Sequence, residues 1–110
     1  MSVGIINGNT AGLYIITATI TPASVATITA AEQSFTLTGK GILARDNVIA
    51  VIPPSEVAGV SLTYARVTGA NTVAIKFVNP TAGSVTPPSG AYTFVIGRTD
   101  GLLPAQIVAD

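Results

Sequence analysis

The sequence predicts an all-β fold, a single-domain antiparallel β-sandwich of jelly-roll or immunoglobulin-like type with six to eight strands. Three observations carry that prediction. Apolar and β-branched residues alternate with a period of two in several short runs. Gly, Pro, Asn and Ser clusters separate these runs at about the 8–12-residue spacing usual in sandwiches and barrels. No long window has a 3.6-residue apolar period, and no repeat of fixed period is present.

The pattern is densest over residues 60–79, where two β-rich runs flank Thr68-Gly69-Ala70-Asn71, a composition suited to a tight hairpin turn. In the first run strict alternation puts Val60, Leu62, Tyr64 and Arg66 on one face. In the second it groups Val73, Ile75 and Phe77 as the core ridge, with Phe94 and Val60, Leu62 and Tyr64 as neighbours.

The other elements follow in chain order. Residues 1–12 read as an N-terminal arm, with Val3, Ile5 and Ile6 set among glycines and asparagines. The sandwich spans 13–98. It opens with a strand in which Ile16, Ala18 and Ile20 alternate with Ile15, Thr17 and Thr19, and Pro22 ends it because proline cannot donate to a ladder. Residues 25–31 fit either a short strand or one helical turn. Phe35 and Leu37 point inward from a strand over 33–38, and Lys40 between Gly39 and Gly41 reads as a hairpin tip. Residues 47–52 form a nearly continuous apolar run suited to burial on both faces, stopped by Pro53-Pro54. A proline-rich loop covers 79–90, at a length where loops are functional or held by contacts elsewhere. Residues 91–96 form the closing strand. Residues 99–110 are an apolar C-terminal tail containing Leu102, Leu103, Ile107 and Val108.

Composition narrows the function. One domain of 110 residues can bury a core without staples. Cysteine and histidine are both absent, which removes disulfides, thiol nucleophiles, the usual general base and the commonest metal ligand. Only 9% of residues are charged, against about 25% in typical soluble domains, and the net charge is zero. Such a surface resists association weakly, which points to a subunit that hides surface in an assembly. Five dispersed cations make no stripe for phosphate, so no nucleic-acid partner is expected. The apolar runs fall well short of the roughly 18 residues of a membrane helix, and the N-terminus has no signal-peptide pattern.

Searching for chemistry returns little. Glu32 with Glu56, or Asp46 with Asp100, supply the carboxylates a glycosidase needs, but each reads as a solvated charge at a strand end. Asp46-Asn47 and Asp100-Gly101 offer oxygen ligands for calcium, and both read as turns. No catalytic residue, metal ligand or cofactor is expected. Arg66 and Lys76 fall inside the central hairpin, either facing solvent, or guarding an edge, or bridging to a neighbouring subunit.

A family resemblance sharpens this. The runs Ala65-Arg66-Val67, Asn71-Thr72-Val73-Ala74-Ile75-Lys76-Phe77-Val78-Asn79-Pro80-Thr81-Ala82 and Pro87-Pro88-Ser89-Gly90-Ala91-Tyr92-Thr93-Phe94 form its centre. Upstream it takes in the runs beginning at Thr19, Glu32 and Asn47. Across roughly residues 13–97 the chain resembles small β-rich virion structural proteins of tailed bacteriophages, among them capsid decoration (cement) proteins and head fibres. The resemblance implies a non-enzymatic subunit on the outer capsid surface, with the major capsid protein as partner and a homo-oligomer, most often a trimer, as its form. Shortness and the lack of a coiled-coil or fibre repeat favour decoration over a fibre. The alternative is a head-fibre or tail-fibre-associated module that binds a receptor or glycan. The expected subunit or capsid contacts are Val3, Ile5, Ile6, Arg66, Lys76, Leu102, Leu103, Ile107 and Val108. The apolar termini either reach onto neighbours, where many weak contacts add up by avidity, or fold back on their own sandwich.

Overall fold

A computed structural model describes residues 10–99, with side chains from residue 12 onward. It contains six strands and no helix: β1 (Thr10–Ile20), β2 (Thr29–Thr36), β3 (Asn47–Ile52), β4 (Ser61–Gly69), β5 (Thr72–Asn79) and β6 (Gly90–Thr99). They form two three-stranded antiparallel sheets of order β1-β6-β3 and β2-β5-β4. Outer pairs nest: β1 with β6, β2 with β5. The ribbon then rolls up, so that β6 also pairs with β3 and β5 with β4, and β3 approaches β4 at one margin. This is the winding of a jelly roll, reduced to six strands.

The core lies between the sheets. Val73, Ile75 and Phe77 from β5 face Tyr92, Phe94 and Ile96 from β6, all at most 1% exposed. The ridge expected from alternation is therefore the ridge observed, because both central strands keep an unbroken period of two. Of the two alternating sets in β1, Ile16, Ala18 and Ile20 point inward, with Leu13 and Ile15 turned out. Phe35 and Leu37 line the same core from the β2 side.

Bulges overturn two of the expected faces. In β4 the register slips between Leu62 and Tyr64, so Thr63 is an extra residue. Beyond it, Ala65 and Val67 take the inward positions, and Tyr64 and Arg66 turn out to solvent. Tyr64 is thus not a core neighbour of Phe77. In β3 the slip lies between Val48 and Ala50, so Val48 and Val51 face the core while Ile49 and Ile52 stand 62% and 57% exposed. The strand is not buried on both faces. It lies at a sheet margin with no layer packed on its outer side among the described residues.

Connections explain the remaining corrections. Residues 25–31 are neither a single strand nor a helical turn: Val25 exchanges backbone hydrogen bonds with Val85, and β2 begins at Thr29. Lys40 does not cap a hairpin, because β2 and β3 belong to different sheets and residues 37–46 cross between them. Gly39 and Gly41, at φ 80° and 76°, make the bends of that crossing. Asn71 in the β4–β5 turn anchors it. Its N–H donates to the Ile42 carbonyl (2.9 Å), its carbonyl accepts from Leu37 N–H (2.6 Å), and its Oδ1 accepts from Ile42 N–H (3.0 Å). Its own φ of 54° is a left-handed value that asparagine tolerates.

The loop after β5 is ordered by Asn79, which is fully buried. Its Nδ2 donates toward the carbonyls of Val25, Ala26 and Gly83 at 2.9–3.2 Å. Its Oδ1 accepts from the Thr81 N–H and hydroxyl at 2.9 and 2.6 Å. Contacts elsewhere hold this loop, one of the two roles its length suggests.

Candidate functional site

Two polar clusters, one groove and one apolar face are the places where this fold could act. The first cluster closes one end of the β1-β6-β3 sheet. Asp46, expected at a solvated turn, is instead 3% exposed. Its carboxylate accepts from Arg98 Nε and Nη2 (2.9 and 2.8 Å), the Tyr14 hydroxyl (2.7 Å) and the Leu43 N–H (2.9 Å). Hydrogen bonds from the Arg98 guanidinium hold the Asp46 carboxyl well below the usual carboxylate range. Burial, then the bond to Asp46, raise the Tyr14 phenol. Arg98 also donates to the Gly41 carbonyl (2.6 Å), so the cluster ties β1, β6 and the sheet crossing together. The Asp46 carboxylate, the Tyr14 hydroxyl and the Nε and Nη2 of Arg98 are all spent on the fold. Sequence reasoning missed the pair because 52 residues separate Asp46 from Arg98.

The second cluster lies on the outer face of the β2-β5-β4 sheet. Pairing sets Glu32, Lys76 and Tyr64 in one row across three strands. Glu32 is therefore in the middle of a strand, not at its end. Arg66, opposite Ala74, reaches diagonally to Glu32 through Nε (2.7 Å) and Nη2 (2.8 Å), and the Tyr64 hydroxyl donates to Oε2 (2.8 Å). These bonds, Arg66 first, pull the Glu32 carboxyl down to about 2 and raise both Arg66 and Tyr64. The Lys76 ammonium stands 5.7 Å from the centre of the Tyr64 ring. The structure thus brings the candidate contacts Arg66 and Lys76 to one face, with Arg66 engaged by a carboxylate of its own chain. The other candidates, Val3, Ile5, Ile6, Leu102, Leu103, Ile107 and Val108, lie outside the described residues.

The groove, about 570 Å³, runs beside residues 51–62 and is floored by Phe77, Pro87 and Tyr92. The Tyr92 hydroxyl donates to the Pro88 carbonyl (2.6 Å), and burial raises its pKa. Its walls are mostly aliphatic and proline side chains with Ser55 and Ser61, and Glu56 is the one charged group among them. Such a lining suits an apolar segment.

The apolar face is the outer side of the β1-β6-β3 sheet. Leu13 lies opposite Gly97 and Ile15 opposite Val95, while Ala50 and Ile52 pair with Val95 and Thr93 from the other side. Leu13, Ile15, Ile49 and Ile52 are 57–69% exposed. A Cβ at Gly97 would stand 2.8 Å from Ile49 Cδ1, so the glycine lets Ile49 lie flat across β6. Among the described residues this face carries no charge. The salt bridges among the described residues lie on the opposite face and at the sheet end. These exposed aliphatic side chains, flanked by threonines, are the most apolar part of the described surface.

Comparison with known proteins adds no relative: no family model, curated protein or solved structure matches the chain.

Proposed function

We propose that this protein is a non-enzymatic structural subunit of a tailed-bacteriophage virion, a decoration (cement) subunit that binds the outer capsid shell and stabilises it. The observation that carries the reading is the division of the sandwich into two unlike faces. One displays Leu13, Ile15, Ile49 and Ile52 with no charge, and the other displays the Glu32–Arg66–Tyr64–Lys76 row. A subunit that sits on a shell needs one surface to bury and another to leave in water. The resemblance over residues 13–97 supplies the identity of the shell, with the major capsid protein as partner and a homo-oligomer as the working form. Zero net charge and tightly spent polar groups agree with a role that rests on packing.

Co-sedimentation with empty capsid shells tests this. The protein is expected to pellet with shells at saturable stoichiometry and to raise the temperature at which they rupture. Deletion of residues 102–110 is expected to weaken shell binding while the sandwich keeps its far-UV spectrum and cooperative melting. A protein that stays in the supernatant with shells and instead binds a glycan or receptor would replace this reading with that of a fibre module.

A further inference from the structure

The sandwich has four strand edges, and three of them carry a device against pairing with another chain. On β2, Glu32 stands mid-strand, and Gln33 clamps the Ala23 backbone beside the edge through bonds of 2.7 and 2.8 Å. The β3 edge is six residues long, is bulged after Val48 and runs into Pro53-Pro54. The β4 edge is bulged twice and carries Arg66. The β1 edge has no charge or proline, and its one irregularity lies at its N-terminal end. After an irregularity at residue 11, the run Gly12–Ile20 pairs with β6 in unbroken register and contains no charge and no proline. β1 is also the longest strand, and among the described residues nothing pairs with its outer side.

From this contrast we infer that β1 is an assembly edge, and that its occupant is β1 of a second copy of this chain, added antiparallel about a two-fold axis. Three observations select that occupant. The strand is rich in Ile and Thr, so it serves equally as template and as added strand. The chain has zero net charge and β1 itself carries no charge, Lys40 lining a cleft beside Thr17–Thr19 but lying outside the strand, so the strand neither repels its own copy nor selects a charged partner. The same patch on both copies is what an isologous contact requires. The two β1-β6-β3 sheets then join into one of six strands. The exposed Leu13 and Ile15, and the half-buried Tyr14 and Ile16, come together across the seam. The apolar outer face becomes continuous over both copies, about doubling the surface offered to a partner. This goes beyond the virion role and does not depend on it, since it is tested without shells.

The test is sedimentation equilibrium of the full chain, with hydrogen exchange followed at low and high concentration. The expected result is a reversible shift from 11.0 kDa to twice that mass, with added protection confined to amides of β1. The double variant Thr17→Lys/Thr19→Lys places charge on the seam, so the dissociation constant should rise by at least about tenfold. Ile28→Lys, at a site 76% exposed but off this edge, should leave association unchanged. Circular dichroism and melting establish that each variant is folded; if the double variant is not, Thr19→Lys alone replaces it. A wild-type mass that stays at 11.0 kDa up to about 1 mM overturns the inference. So does a closed trimer, association without protection of β1, a folded lysine variant of undiminished affinity, or equal dissociation by Ile28→Lys. A dimer lost on deleting residues 102–110 but kept in the lysine variant assigns the contact to the tail and also overturns it.

Discussion

Asp46 and Asn79 show how single polar residues hold a sandwich that has few of them. Each is buried, and each satisfies several groups that the chain brings in from elsewhere. Replacing Asp46 with Ala removes the acceptor for Arg98, Tyr14 and Leu43 at once, and is expected to cost about 3 kcal/mol in denaturant unfolding. Asn79→Asp keeps the shape but turns a donor that faces three carbonyls into an acceptor. We expect a loss of similar size, about 2–4 kcal/mol, with Val85 and the loop amides exchanging faster. The carboxylates also set the acid limb of stability. In the folded chain Glu32 lies near 2 and Asp46 is lowered too, so the unfolded chain binds protons first as pH falls. Their contribution is complete above their unfolded values and is lost as pH drops through the folded ones. Melting temperature should therefore fall from about pH 4 downward, and Asp46→Asn should flatten that fall. Glu32→Gln should have the smaller effect at neutral pH, because its partner Arg66 is solvent-screened.

At the scale of elements, the two bulges matter most. Alternation in the sequence is an unbroken string of parities, and one extra residue reverses every later side chain. Thr63 does this in β4: it stands without a partner, and if it were paired in strict alternation Tyr64 and Arg66 would point at the core, and Ala65 and Val67 at water. Deleting Thr63 is therefore expected to leave a regular strand with the same faces and to preserve cooperative unfolding by calorimetry, whereas deleting Ala65, which turns Arg66 inward and Val67 outward, is expected to lower the melting temperature sharply. β5 and β6 need no bulge where they face the core, so the ridge of β5 and Phe94 of β6 were readable directly, and Tyr92 and Ile96 follow by the same alternation. The β3 and β4 edges bend around the core, and their faces were not.

For the molecule as a whole, the candidate site was only partly legible. That Arg66 and Lys76 stand near cross-strand partners follows from the hairpin, but their convergence on Glu32 needs β2 beside β5. The apolar face escaped sequence reasoning because Leu13, Ile15, Ile49 and Ile52 look like core residues when taken singly. Ile→Lys substitution at residue 15 or 49 is expected to leave melting within about 1 kcal/mol of the wild type, as for other surface changes, while reducing retention on an apolar-interaction column. Loss of cooperative folding on such a change would show that this face is covered within the monomer.

The sequence by itself determined the all-β class, the inward ridge of β5 with Phe94 beside it, the β4–β5 hairpin and the scarcity of charge. These rest on local facts: a period of two, turn-forming residues and composition hold whatever the rest of the chain does. Only the tertiary structure decided how six strands divide between two sheets, where the bulges fall, that Asp46 meets Arg98, and which aliphatic side chains are left in water. Those depend on pairings between residues tens of positions apart, and the register that selects them is set by how the whole core packs.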